Sequence, residues 1–160
     1  MASKKTASGG KRSLVIVESA TKARKIQPYL GSDYVVEACA VAKAAGLDIA
    51  PYRLLPSNVG PGYFATRRFD RPEPGRRLHM VSLSGAVEAP WRTPASYDLF
   101  LRATRAITRH ADDLHAAFRR MVFNLLASNR DDHTRQHSYL MDATGQWRLA
   151  PAYDLTYSTG

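Results

Sequence analysis

From Leu114 onward, apolar residues recur with the period of an α-helix. Leu114, Phe118, Met121, Val122 and Leu125 stand at offsets 0, 4, 7, 8 and 11, the spacing of one helical face. Asp112 or Asp113 starts this helix, and it ends near Ser128. A helix before it, over 94–109, carries Tyr97, Phe100, Leu101, Thr104 and Ile107 on one face. After it come two short strand-like runs, "HSYLM" and "QWRLA", joined by "DATG" and closed by Pro151. That joint has Asp first and Gly fourth, as a type I turn prefers. Two packed helices and a hairpin, preceded by a few strands, predict an α+β architecture.

A hairpin returns the chain to its starting end. Asp131, just past the long helix, and Asp154, just past the second strand, therefore become neighbours although 23 positions apart. His133 and Gln136 join them around one cavity. Two carboxylates and an amide oxygen are hard ligands of the kind Mg²⁺ takes, and Mg²⁺ commonly arrives with phosphates. One carboxylate can instead stand off the metal and receive a hydroxyl proton. Acidic residues that only cap a loop and a turn would leave the same spacing.

The rest of the chain reads more plainly. Its 160 residues suffice for one domain. No apolar run reaches the length of a membrane span, and "SLVIV" is too short for a secretory h-region. A cytoplasmic protein with no membrane partner is expected. Cys39 is the only cysteine, which excludes an internal disulfide framework and a cysteine zinc cage.

The net charge of +9 is uneven: residues 1–25 carry seven Lys/Arg against Glu18, and the remainder carries sixteen against thirteen. Lys43 is the only lysine beyond residue 25. The switch from lysine to arginine points to two pieces of different origin. The basic N-terminus, together with arginines 67, 68, 71, 76 and 77, offers a surface to nucleic acid or another polyanion.

Locally, residues 1–12 read as a disordered basic tail, 13–18 as a buried strand, and 19–31 as a helix capped by Ser19 or Thr21 and stopped by Gly31. A strand over 34–40, a short helix ended by Gly46, a strand over 63–69 and a loop over 72–77 come after them.

Four stretches carry a resemblance: "YFATRRFDR", "RLHMVSLSG", "FRRMVFNLLASNRDDH" and "WRLAPAYDLTYS". Over 41–160 they resemble the HipA-like serine/threonine protein kinases of bacterial toxin–antitoxin systems. The resemblance implies a partial kinase C-lobe, with ATP and Mg²⁺ as cofactors and a protein substrate and an antitoxin-type partner. Asp131 looks like the catalytic-loop aspartate that deprotonates the acceptor hydroxyl, and His133 like the catalytic-loop histidine. Asp154 looks like the metal-binding aspartate. Gln136 falls where the family has a metal-ligating Asn, "HTRQ" standing in place of "HAKN". Arg67 to Phe69 look like the hinge that holds adenine, with Asp70 near the ribose. The family's phosphate-covering loop and phosphate-gripping lysine would precede residue 41, and the chain stops six residues after Asp154. The resemblance thus predicts a truncated kinase, weak or inactive as this chain.

Residues 13–37 resemble instead the Toprim opening of bacterial type IA DNA topoisomerases, "LVIVESATKARKI", with Ala20 in place of the usual Pro. Glu18 matches the Toprim glutamate and Lys22 a basic residue near DNA phosphates. No Asp-x-Asp cluster occurs after it, which excludes topoisomerase activity. A junction near 37–41 is expected, from a fusion, a remnant or a chimera. A nucleic-acid-binding fragment and a non-catalytic remnant stand as alternatives to the kinase.

Overall fold

The computed structural model describes residues 38–155, apart from 56–57, 59–62 and 91–95. The expected tail, first strand and first helix (1–31) lie outside the described residues. In chain order the elements are α1 (Ala38–Ala44), β1 (Tyr52–Leu55), β2 (Tyr63–Thr66), β3 (His79–Ser82), α2 (Leu83–Ala86), α3 (Tyr97–Thr108) and α4 (Ala111–Leu126). A 3₁₀ turn (Thr134–Gln136), β4 (Ser138–Met141) and β5 (Trp147–Leu149) complete the order. Strands β1 and β2 pair antiparallel. Strands β3, β4 and β5 form a second antiparallel sheet in that order. The α+β architecture is as expected. No described helix is long and apolar enough to cross a membrane.

Residues 38–40, expected in a strand, form the first turn of α1. Alanine-rich sequence favours helix over strand, and the turn tucks Cys39 and Ala42 out of solvent. Gly46 ends the helix as expected, at φ +79. Its N–H reaches Lys43 O and the Leu47 N–H reaches Ala42 O, the paired bonds of a Schellman cap.

The strand expected to run to Phe69 stops at Thr66. Past it, Arg68 grips Asp70 through Nε at 2.8 Å, and Leu78 N–H bonds Asp70 O at 2.8 Å. These bonds turn the chain away from the sheet.

Helices α3 and α4 form where the periodicity places them. Ser96 caps α3 by accepting from Leu99 N–H. The buried side of α4, however, is not the apolar stripe. Phe118 and Leu125 are 53% and 62% exposed, whereas Asp113, Ala117, Arg120, Phe123 and Asn124 face inward. Buried polar groups persist when they are paired. Asp113 accepts from Arg148 Nε at 2.8 Å, Arg148 Nη2 at 3.1 Å and Leu149 N–H at 3.2 Å. Arg120 Nη2 donates to Ala150 O at 2.6 Å. Burial pulls the Arg120 guanidinium down to about 10, so it stays charged at neutral pH. Polar anchors therefore rotate α4 onto the hairpin and leave much of its apolar stripe outside.

Asp113→Ala should accordingly cost about 2 kcal/mol of stability, by freeing a strand N–H and half of an ion pair. Urea unfolding checks this; an unchanged midpoint would show that the anchor contributes nothing.

Two small cores complete the packing. Leu83, Phe100, Ala117 and Tyr139 form one, where α2, α3 and α4 meet β4. Ala42, Leu47, Phe123, Ala152 and Leu155 form the other, which joins α1 and the end of α4 to the segment after β5.

Candidate functional site

The loop that carries Asp131 leaves α4 through Ser128, at φ +52, a left-handed conformation that costs a non-glycine residue about 1 kcal/mol. Asn124, in the last turn of α4, braces this loop. Its carbonyl accepts from Asn129 N–H at 2.9 Å, and its side-chain Oδ1 accepts from Asn129 Nδ2 at 3.2 Å. Its Nδ2 approaches Asp132 Oδ2 at 3.4 Å. The Tyr97 hydroxyl donates to the same Asp132 oxygen from the start of α3. Burial, then the Asp132 carboxylate, pushes the Tyr97 phenol up, so it remains a donor. Asn129 and Asp132 thus fix both sides of Asp131, which is half-buried.

His133 leads into the 3₁₀ turn, where Gln136 N–H bonds His133 O at 2.9 Å. The turn buries Gln136 and aims its side chain across the hairpin. Gln136 Nε2 donates to Asp154 Oδ2 at 2.6 Å, across 18 positions. The other end of the same amide, Oε1, is buried and has no hydrogen-bond partner.

Asp154 itself stands at φ +52, on a segment tied down before it. Ala152 N–H bonds Asp48 O at 2.8 Å, and Ala152 forms a parallel bridge with Ile49. The Tyr153 hydroxyl donates to Arg135 O at 2.6 Å and lies 2.5 Å from Ser138 Oγ. Burial pushes that phenol up as well.

Folding therefore unites Gln136 with Asp154 directly, and it sets Asp131 and His133 in the loop that precedes the turn. Of the residues expected at the adenine hinge, Phe69 packs its ring 5.6 Å from that of Tyr153, next to Asp154. Arg67 donates to Pro72 O. Asp70 is gripped by Arg68, whose hydrogen bond holds the carboxyl below the usual carboxylate range. The side chains of Arg67 and Asp70 thus serve their own turn.

Sequence reasoning missed Tyr97, Asn124, Asn129 and Tyr153. One signal was available: Asn124 interrupts an apolar run, "VFNLL", and an amide there has to find partners when buried.

Among the described residues no group of three or more His, Cys, Asp and Glu gathers. A cation here would rest on Asp154, the Gln136 amide oxygen, water and phosphate oxygens. That donor set fits Mg²⁺, which keeps several of its waters, and the unpartnered buried Oε1 is an acceptor without a donor.

A separate cavity of about 340 Å³ lies behind the hairpin, lined in part by Gly46, Asp48, Asp113, Arg120, Arg148 and Pro151. It includes none of the candidate site residues. The unpartnered Nε and Nη1 of Arg120 are shielded from solvent, so a molecule in the cavity would not meet them.

Three comparisons bear on this geometry. The family model "HipA-like C-terminal domain" matches residues 19–160. Its reach includes residues 19–37, part of the stretch that resembles a Toprim opening. A protein of Sinorhizobium fredii (strain NBRC 101917 / NGR234) described as "Putative kinase Y4mE" is 31% identical over 126 residues, 72% of this chain and 30% of its own length. The HipA of Shewanella oneidensis MR-1, solved with HipB and its operator DNA, has the same fold at a TM-score of 0.60 and 24% identity. That match covers 73% of this chain and 32% of the HipA chain. This chain thus spans about a third of the length of either protein. A family model matched over nearly the whole sequence, on a fold shared with a solved HipA, places this chain in the family of HipA-like C-terminal domains.

Proposed function

We propose that this site belongs to an ATP-dependent serine/threonine protein kinase and supplies its catalytic loop and metal-binding acid. The observation that carries the reading is the Gln136–Asp154 contact of 2.6 Å across the hairpin, with an unpartnered amide oxygen beside it. A bound Mg²⁺ would draw charge from the phosphates of ATP, and Asp154 with Gln136 would hold it. Asp131, on a loop fixed at Asn129 and Asp132, accepts the proton of the substrate hydroxyl. His133 orients that loop, and Phe69 with the Arg67 backbone borders the adenine. An antitoxin-type partner and a cytoplasmic setting belong to the same proposal, by analogy with the Shewanella HipA solved with HipB.

The turnover of the 160-residue chain alone is expected to be weak. Lys43 is the only lysine in residues 38–155, and it lies exposed on α1, unlike a lysine that grips phosphates. The test is Mg²⁺-dependent ATP binding, followed by phosphoryl transfer to a generic protein substrate. Asp154→Asn should lower nucleotide binding in Mg²⁺ by tenfold or more, about 1.4 kcal/mol. Asp131→Ala should spare binding and remove the residual transfer. Equal nucleotide binding by the Asp154→Asn protein would overturn the assignment.

A further inference from the structure

We infer that Gln136 sets the cation affinity of this site by competing with the cation for Asp154. The inference rests on the reading of Asp154 as a metal acid. It goes further, in giving the amide a role opposed to that of a simple ligand.

The Gln136 side chain is 5% exposed, so water does little to weaken its contacts. Its Nε2 donates to Asp154 Oδ2 at 2.6 Å, and a hydrogen bond accepted by a carboxylate is charge-assisted, about twice as strong as a neutral one. The amide therefore points its positive end at the carboxylate, where a cation would bind, and leaves its negative end, Oε1, without a partner. A metal ligand would be turned the other way, oxygen toward the cation. Oε1 has no hydrogen-bond partner to favour the observed orientation, whereas Nε2 has the Asp154 carboxylate.

The reach of the side chain makes this contact. Gln136 is placed by the 3₁₀ turn (Thr134–Gln136), whose backbone is held by the Gln136 N–H to His133 O bond. From that fixed point the two methylenes of glutamine span the hairpin to Asp154. The amide of asparagine, one methylene shorter, would draw back by about one C–C bond, 1.5 Å, and take its N–H away from Asp154 Oδ2. A cation entering the site as it stands has to break the Gln136–Asp154 bond and turn the amide over. Losing the amide oxygen as a ligand costs little by comparison, because Mg²⁺ readily keeps a water in its place.

The experiment is calorimetric titration of the full 160-residue chain with MgCl₂, without nucleotide. The variants are Gln136→Asn, Gln136→Met and Asp154→Asn, each checked for folding by thermal melting. Gln136→Met keeps the length and volume of the side chain and removes both ends of the amide. Gln136→Asn and Gln136→Met should each bind Mg²⁺ about tenfold more tightly than the wild type, and Asp154→Asn should not bind it. If the wild type binds through Asp154 and Gln136→Met binds equally or more weakly, the amide is a ligand or a bystander and the inference fails. If Asp154→Asn binds as the wild type does, Asp154 is not a metal acid and the proposed function fails with it; if no variant binds, removing the amide does not raise the cation affinity and the inference alone fails.

Discussion

Phe100→Ala is expected to remove about 3–5 kcal/mol of stability, the usual cost of truncating a buried aromatic side chain. A domain of this size has about 5–15 kcal/mol to lose, so the variant should be close to unfolded at 37 °C. Phe100 is 1% exposed, in the core formed with Leu83, Ala117 and Tyr139. It also stacks on His137, with ring centroids 4.0 Å apart and planes at 20°. His137 directly follows Gln136. The cavity left by the truncation therefore opens beneath the residue that crosses to Asp154. Urea unfolding gives the energy. Phe100→Leu should lose about 1–1.5 kcal/mol. An alanine variant that unfolds at the wild-type midpoint would mean that α3 does not pack under the hairpin.

His137 makes the fold sensitive to acid. Burial, with smaller contributions from the charges of Arg120 and His133, lowers it from 6.5 to about 3. The folded state thus holds His137 neutral, while the unfolded chain takes up a proton below pH 6.5. More protons bound in the unfolded state means that stability falls as pH falls. The contribution is fully present above pH 6.5 and is lost from there toward pH 3, at about 1.4 kcal/mol per pH unit. Unfolding free energies measured between pH 7.5 and 5 test this above the range where most carboxylates titrate. His137→Phe preserves a ring against Phe100 and should flatten the slope by about one proton. A slope unchanged in that variant would place the acid sensitivity elsewhere.

Both residues show how the legible and the hidden parts of this protein divide. Phe100 was legible, since it stands on the periodic face of α3 with Leu101 and Thr104. His137 was not, because a lone histidine at the start of a strand-like run carries no local sign of burial. The helices and the hairpin could be read because their signals are short-range: a period of 3.6, and an Asp-first, Gly-fourth turn at Asp142–Gly145. Alanine-rich α1 was half-read, since "YVVEACA" begins with β-branched residues that pull the reading toward strand. Arg68 and Asp70 were read as parts of a binding surface and spend their charges on each other, a pairing that depends on how the chain turns after Thr66.

From residue order alone came the α+β class, the two helices, the hairpin and the closeness of its two flanks. These stem from local propensity and from the geometry of a two-stranded return. Tertiary structure decided which side of α4 is buried. Hydrophobic spacing selects Phe118 and Leu125, but the carboxylate of Asp113 and the guanidinium of Arg120 find backbone partners at Leu149 in β5 and at Ala150 just past it, and burial goes with those bonds. It decided likewise which end of the Gln136 amide meets Asp154. An amide presents a donor and an acceptor from one carbon, and only the position of the partner in space selects between them.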